Sequence, residues 1–179
     1  MKINLEEKIK MQSVKIIITG GTIDSEWCPS KDTAIVKETS SIQDYINKYI
    51  QPNCTFSYEV VAMKDSRDIT QKIQNKIVSV IENSTEEHII ITHGTYTMSD
   101  TAKYLQNNLS KNALNKKIVL TGSFYPLEGF APNDASFNLG FAIGVANFIS
   151  SGVYVAMHSE VFEPENVKKD IERAHFNKK

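Results

Sequence analysis

Short apolar runs at residues 14–19, 57–63, 88–92, 117–122 and 152–157 stand out from a mixed polar background. Most are nearly continuous in Val, Ile and Leu and lack strict alternation, the pattern of strands covered on both faces. The segments between them carry helical spacing. In 68–83 the residues Ile69, Ile73, Ile77, Val80 and Ile81 fall on one stripe, with Asp68 and Gln71 in the positions of an N-cap and its reciprocal partner. In 97–109 the stripe is Met98, Ala102, Leu105 and Leu109, with Thr97 and Asp100 at the cap positions. A third stripe, Phe137, Phe141, Val145 and Phe148, runs through 134–150, and a shorter helix at 41–50 carries Ile42, Tyr45, Ile46 and Tyr49.

Strands alternating with helices in this rhythm predict a three-layer α/β sandwich, Rossmann-like, with a mostly parallel sheet and helices on both faces. A site is then expected beyond the carboxyl ends of the strands. Two long connections stand there. Residues 24–39 fit neither period and read as a lid, and 122–133 is a second long loop.

Composition narrows the class without naming it. A chain of 179 residues with 41% hydrophobic and 23% charged residues is one globular domain with an ordinary surface. Residues 1–13 read as a polar extension and 14–179 as the domain. The net charge of −1 gives no electrostatic reason to expect nucleic acid or a membrane surface as partner. No apolar run is long enough to span a bilayer, and the charged first residues lack the core of a secretory signal. Cys28 and Cys54 lack metal-like spacing. Reduced thiols in the cytoplasm are the plain expectation.

The candidate chemistry lies in two turns. Thr19-Gly20-Gly21-Thr22-Ile23 follows the first apolar run, and Thr92-His93-Gly94-Thr95-Tyr96-Thr97-Met98 follows the third. A hydroxyl just past a buried strand, beside glycines that admit close approach, is where α/β folds place reactive groups. The first turn is not a G-x-G-x-x-G motif and has no Walker lysine, which argues against a nucleotide. Taken alone, His93 is more often a satisfied core histidine than a ligand. Taken together, the two turns are far more specific.

They resemble the two signatures of the bacterial-type L-asparaginases. Lys64-Asp65-Ser66 after the second strand is a further match, as is Val119-Leu120-Thr121-Gly122-Ser123 followed by Pro126 and a helix holding Phe137-Asn138-Leu139. The resemblance covers about residues 14–170 and implies the fold of that family's amino-terminal domain. It also implies catalytic roles for Thr22, Thr95 and Lys169, the last as base. By the same resemblance Ser66 holds the substrate's carboxylate, and the backbone at Ser123 receives its amide. Gly21, Asp65, Arg67, Gly94 and Tyr96 line the same site. Chemically this is coherent. A threonine hydroxyl becomes a nucleophile once a neighbour takes its proton, a neutral lysine can do so, and glycine-flanked N–H groups can hold the resulting oxyanion.

Departures from the family pattern are concentrated around the substrate's ammonium group. Tyr96 stands where an aspartate is normal, and Arg67 where glutamine is frequent. Trp27 is the only aromatic residue of the expected lid, where the family has a tyrosine, and the 179 residues carry no second domain. The reading is therefore an asparaginase-like amidohydrolase with altered substrate preference, acting on a small amide or amino-acid-like substrate without metal or cofactor, and expected to form homo-oligomers. A catalytically inactive protein binding a small acid or amide, and one part of a split enzyme, remain open beside it.

Overall fold

The computed structural model describes residues 13–179, so the proposed extension lies almost wholly outside the described residues. A six-stranded sheet organises the fold. It is built from β1 (Ser13–Gly20), β4 (Thr55–Lys64), β5 (His88–Thr92), β6 (Lys117–Thr121), β7 (Gly152–Met157) and β8 (Glu160–Phe162), in the order β4-β1-β5-β6-β7-β8. All neighbours are parallel except β7 and β8.

Two buried layers explain the near-continuous apolar strands. Ile17, Ile89, Ile91, Ile118 and Leu120 face one side, where α2 (Gln71–Asn83) and α3 (Met98–Asn108) supply Ile77, Ile81, Met98, Ala102 and Leu105. Ile16, Ile18, Ile90 and Val119 face the other, under α1 (Ile42–Tyr45) and α4 (Ala135–Val145). Successive strand residues point to opposite faces, so a run such as Ile89-Ile90-Ile91 serves both cores. The expected three-layer, mostly parallel α/β architecture is thus present.

Several local expectations need correction. Asp68 does not cap α2: it lies in a 3-10 turn, Ser66–Asp68, and Thr70 is the N-cap without a side-chain bond. Thr97 does occupy the N-cap of α3, but its hydroxyl donates to the Ser66 carbonyl instead. The helix at 41–50 is α-helical only to Tyr45 and widens to a π-turn over Ile46–Ile50. The third stripe is split: Phe141 and Val145 are partly buried against the core, while Phe137 on α4 and Phe148 beyond it are exposed. Phe137 is 55% exposed, whereas Ala135, Leu139, Ala142 and Ala146 are buried. That helix is apolar all round, so periodicity could not choose a face; alanines let it lie close to the sheet, and Asn138 is buried with it.

The segment 24–39 is not a structureless loop. It forms an antiparallel hairpin of β2 (Ser25–Cys28) and β3 (Thr33–Val36), whose strands are too short to show a period. A second hairpin, β9 (Val167–Asp170) with β10 (His175–Lys178), closes the chain, and no apolar run announces it.

Candidate active site

The chain runs from β1 to β4 on one side and then to β5 on the other, so β1 and β5 flank the switch point where such sheets bind ligands. Both threonine turns leave from there. Thr19 Oγ1 donates to the Thr92 carbonyl at 2.8 Å and joins the two strand ends.

Backbone contact then brings three turns together. Gly20 and Gly21 take φ of +87° and +81°, conformations that favour glycine. A Cβ on Gly20 would lie 2.5 Å from Lys64 N, and one on Gly21 would lie 2.4 Å from Gly94 Cα. A Cβ on Gly94 would lie 2.8 Å from Ser66 Cβ. Glycine is therefore needed wherever the turns after β1, β4 and β5 touch. Thr22, Ser66 and Thr95 are gathered by those contacts.

His93 supports the arrangement from below. Its Nδ1–H donates to the Gly94 carbonyl at 2.8 Å, and Nε2 accepts from Thr101 Oγ1 at 3.0 Å. A carbonyl can only accept, so this tautomer follows. Complete burial pushes the imidazole pKa down to about 4 and keeps the ring neutral. It is a satisfied core histidine that fixes the turn before Thr95.

Thr95 is buried, and Lys169 on β9 reaches it: Nζ lies 2.7 Å from Thr95 Oγ1. Burial, and secondarily the nearby Arg67 charge, lower the lysine pKa, with Asp65 opposing. The Lys169 amine also lies 3.6 Å from the centre of the Tyr96 ring and 4.9 Å from that of Phe124. Arg67 rests 4.9 Å from the same Tyr96 ring and is held by Asp65 through bonds of 2.8 and 3.1 Å. That pairing, led by the Arg67 hydrogen bond, lowers the Asp65 pKa. Ser66 is buried and its Oγ accepts from the Tyr96 N–H at 3.2 Å. A lysine relieved of its proton at this distance can take one from Thr95.

The other expected residues are placed as follows. Thr22 opens the 3-10 turn Thr22–Asp24 beside Gly21 and is half-buried; the lysine bond goes to Thr95 and not to it. Ser123 is buried, with its hydroxyl donating to the Tyr125 carbonyl. Below the hairpin, Asp24 accepts from Ser40 Oγ at 2.8 Å and Ser41 N at 3.0 Å, and Lys37 meets Glu128 at 2.9 Å. The hairpin base is thus fastened to the 122–133 loop.

A polar brace escaped the sequence reading. The Asp134 carboxylate accepts the backbone N–H groups of Phe124 and Tyr125, and Asn138 Nδ2 donates both to Asp134 at 2.9 Å and to the Gly122 carbonyl at 3.0 Å. The Phe124 ring stacks on His158, which stacks on His175 at 4.8 Å. Asp134, directly after Pro132-Asn133 and ahead of an apolar helix, was the available signal.

The comparisons with known proteins agree with this architecture. The family model described as Asparaginase, N-terminal matches residues 13–174. The glutaminase-asparaginase of Acinetobacter glutaminasificans is 27% identical over 89% of this chain and 50% of its own length. A component of the glutamyl-tRNA(Gln) amidotransferase of Thermococcus kodakarensis is 33% identical over 87% of this chain and 36% of its own. Among solved structures, a probable cytoplasmic L-asparaginase from Campylobacter jejuni superposes with a TM-score of 0.79 at 26% identity, covering 92% of this chain and 52% of that one. L-asparaginase I from Vibrio cholerae shares the fold with a TM-score of 0.80 at 23% identity, over 94% of this chain and 51% of its own. The chain spans half or less of the length of the two sequence relatives. The chain belongs to the asparaginase family, matching the N-terminal domain of that family over residues 13–174.

Proposed function

We propose that this domain hydrolyses a small carboxamide to the acid and ammonia. The observation that carries the reading is the contact between Lys169 and Thr95, residues from distant parts of the chain meeting at 2.7 Å. In the reaction a threonine oxygen attacks the amide carbon, and its proton passes to the neutral Lys169 amine. The tetrahedral intermediate is held by N–H groups of the glycine turns, with Gly21 and Gly94 allowing the approach. Its collapse breaks the C–N bond, ammonia leaves with the proton, and water cleaves the acyl ester. Ser66 binds the substrate's carboxylate and Ser123 the amide end.

The altered neighbours bear on the substrate. Tyr96 offers a ring where a carboxylate would accept an ammonium, and Asp65 is committed to Arg67. Lys169 and Arg67 surround the same ring. An α-ammonium would meet the Arg67 guanidinium there without a carboxylate free to balance it, so an amide with a carboxylate and no α-amine, such as succinamate, fits better than asparagine.

Ammonia release measured over succinamate, asparagine and glutamine tests the reading. Activity lost in Thr95→Ala and Lys169→Met supports it, and no release from any amide overturns it. A clear preference for asparagine sinks the proposed specificity alone. The attacking hydroxyl is that of Thr22 or Thr95, and mass spectrometry of the trapped acyl-enzyme distinguishes them. A cytoplasmic location belongs to the same proposal, supported by the unpaired Cys28 and Cys54. Self-association is proposed too, through the exposed Phe137 of α4 and Phe148 in the turn after it. Among the described residues no helix is long and apolar enough to cross a membrane.

A further inference from the structure

A base must be held on its target, and long lysine side chains are costly to hold. A carboxylate would do this through an ion pair, but here the position after Thr95 is a tyrosine. The hydrogen bond of the Lys169 amine goes to Thr95, and the groups packed on it are aromatic, Tyr96 at 3.6 Å and Phe124 at 4.9 Å, with the charges of Arg67 and Asp65 nearby but in no ion pair with it.

We propose that Tyr96 and Phe124 are positioning residues, an aromatic clamp whose ring faces hold the Lys169 amine on Thr95 in place of a charged partner. The assignment rests on the amidase reading of this site for its catalytic meaning. Ring faces attract cations through their quadrupole, and the attraction strengthens where water is excluded.

Both rings are themselves fixed. Tyr96 donates its backbone N–H to Ser66 Oγ, and its ring is also packed by Arg67, which Asp65 grips with two bonds. Phe124 is tied at its N–H to the Asp134 carboxylate, stacks on His158 at 5.5 Å and meets Phe176 edge-on at 6.1 Å. Phe176 lies on β10, the partner strand of the one that carries Lys169, in register opposite the lysine. The clamp therefore joins the 122–133 loop to the lysine hairpin. Unlike a carboxylate, a ring holds the ammonium without full negative charge, so the proton is easier to release.

The test is nuclear magnetic resonance of protein with labelled lysine, the Lys169 signal being assigned by its loss in Lys169→Met. An amine over a ring face places its ε-methylene in the ring current. The expected result is a Lys169 ε-methylene shifted upfield from the other lysines, retained in Tyr96→Phe and largely lost in Tyr96→Leu. Phe124→Leu reduces it in part, and Tyr96→Asp raises the pH at which Lys169 titrates. In amide hydrolysis Tyr96→Leu lowers kcat about tenfold with little change in KM, and Tyr96→Phe recovers most of the loss. An unshifted Lys169 methylene in the unaltered protein, or one that Tyr96→Leu leaves in place, overturns the clamp. Absence of hydrolysis with the ring-current shift present overturns the amidase reading and leaves the clamp standing.

Discussion

Gly21 faces Gly94 so closely that a methyl group on the first would lie 2.4 Å from the α-carbon of the second. Two strands deliver their turns to one point because neither carries a side chain there. A single added carbon would separate the threonine turns.

Gly21→Ala is therefore expected to cost on the order of 3 kcal/mol, combining left-handed strain with backbone overlap. Gly129 offers the contrast, with φ of +77° and nothing within 4 Å of an added Cβ. Gly129→Ala should carry the strain alone, about 1 kcal/mol. Denaturant midpoints of the two variants check the difference.

Acid should weaken the fold through His93. Its folded pKa of about 4 lies below the ordinary value of 6.5, so between these values the unfolded chain binds more protons. The sign is then fixed: stability is complete above the higher value and falls as pH drops toward the lower one. The gap corresponds to about 3 kcal/mol lost by the time the lower value is reached. Urea unfolding followed from neutral pH down to the folded pKa, with the imidazole observed by nuclear magnetic resonance, reads both quantities.

Hydrolysis should rise with pH through the titration of Lys169, since only the neutral amine accepts a proton. Burial and Arg67 lower that pKa from the ordinary value of 10.5, which brings the rise toward neutrality. Arg67→Met removes a positive neighbour and frees Asp65, and both changes favour the charged amine. The rising limb of the kcat profile should move to higher pH, and an unmoved limb would exclude Lys169 as the group it reports.

Trp27 is the chain's sole tryptophan, half-exposed on the β2–β3 hairpin. If the hairpin closes over a bound acid, its emission should shift to shorter wavelength on titration with succinate. The response should be lost in Ser66→Ala, which removes the proposed carboxylate ligand. Fluorescence titration of the two proteins decides it.

Much of this organisation was legible because the signals were strong and local. Ile16-Ile17-Ile18 and Ile89-Ile90-Ile91 could belong only to strands covered on both faces, and Gly20-Gly21 and Gly94 marked turns that need close approach. Lys169 was reachable only by resemblance, since nothing in Lys168-Lys169 distinguishes one lysine from its neighbour; register with β10 does. The stripe on α4 was right for Phe141 and Val145 and wrong for Phe137, because that helix has no polar face to orient it. The Asp134 and Phe124 brace depends on contacts between loop and hairpin that no spacing encodes.

The terminal hairpin carries a consequence for how the molecule comes into being and how it is lost. Its β9 strand pairs with β10 alone and lies outside the six-stranded sheet, yet it brings the lysine to Thr95. A growing chain can complete the whole sheet and both threonine turns before Lys169 is available to them. Conversely, a protease cut between Ile171 and Ala174 would keep Lys169 on the larger fragment but sever β9 from β10, the strand that carries the buried Phe176 opposite it. The strand that carries Lys169 is thus left out of the sheet, while Val167 and Phe176 of the same hairpin are buried in the core beside it.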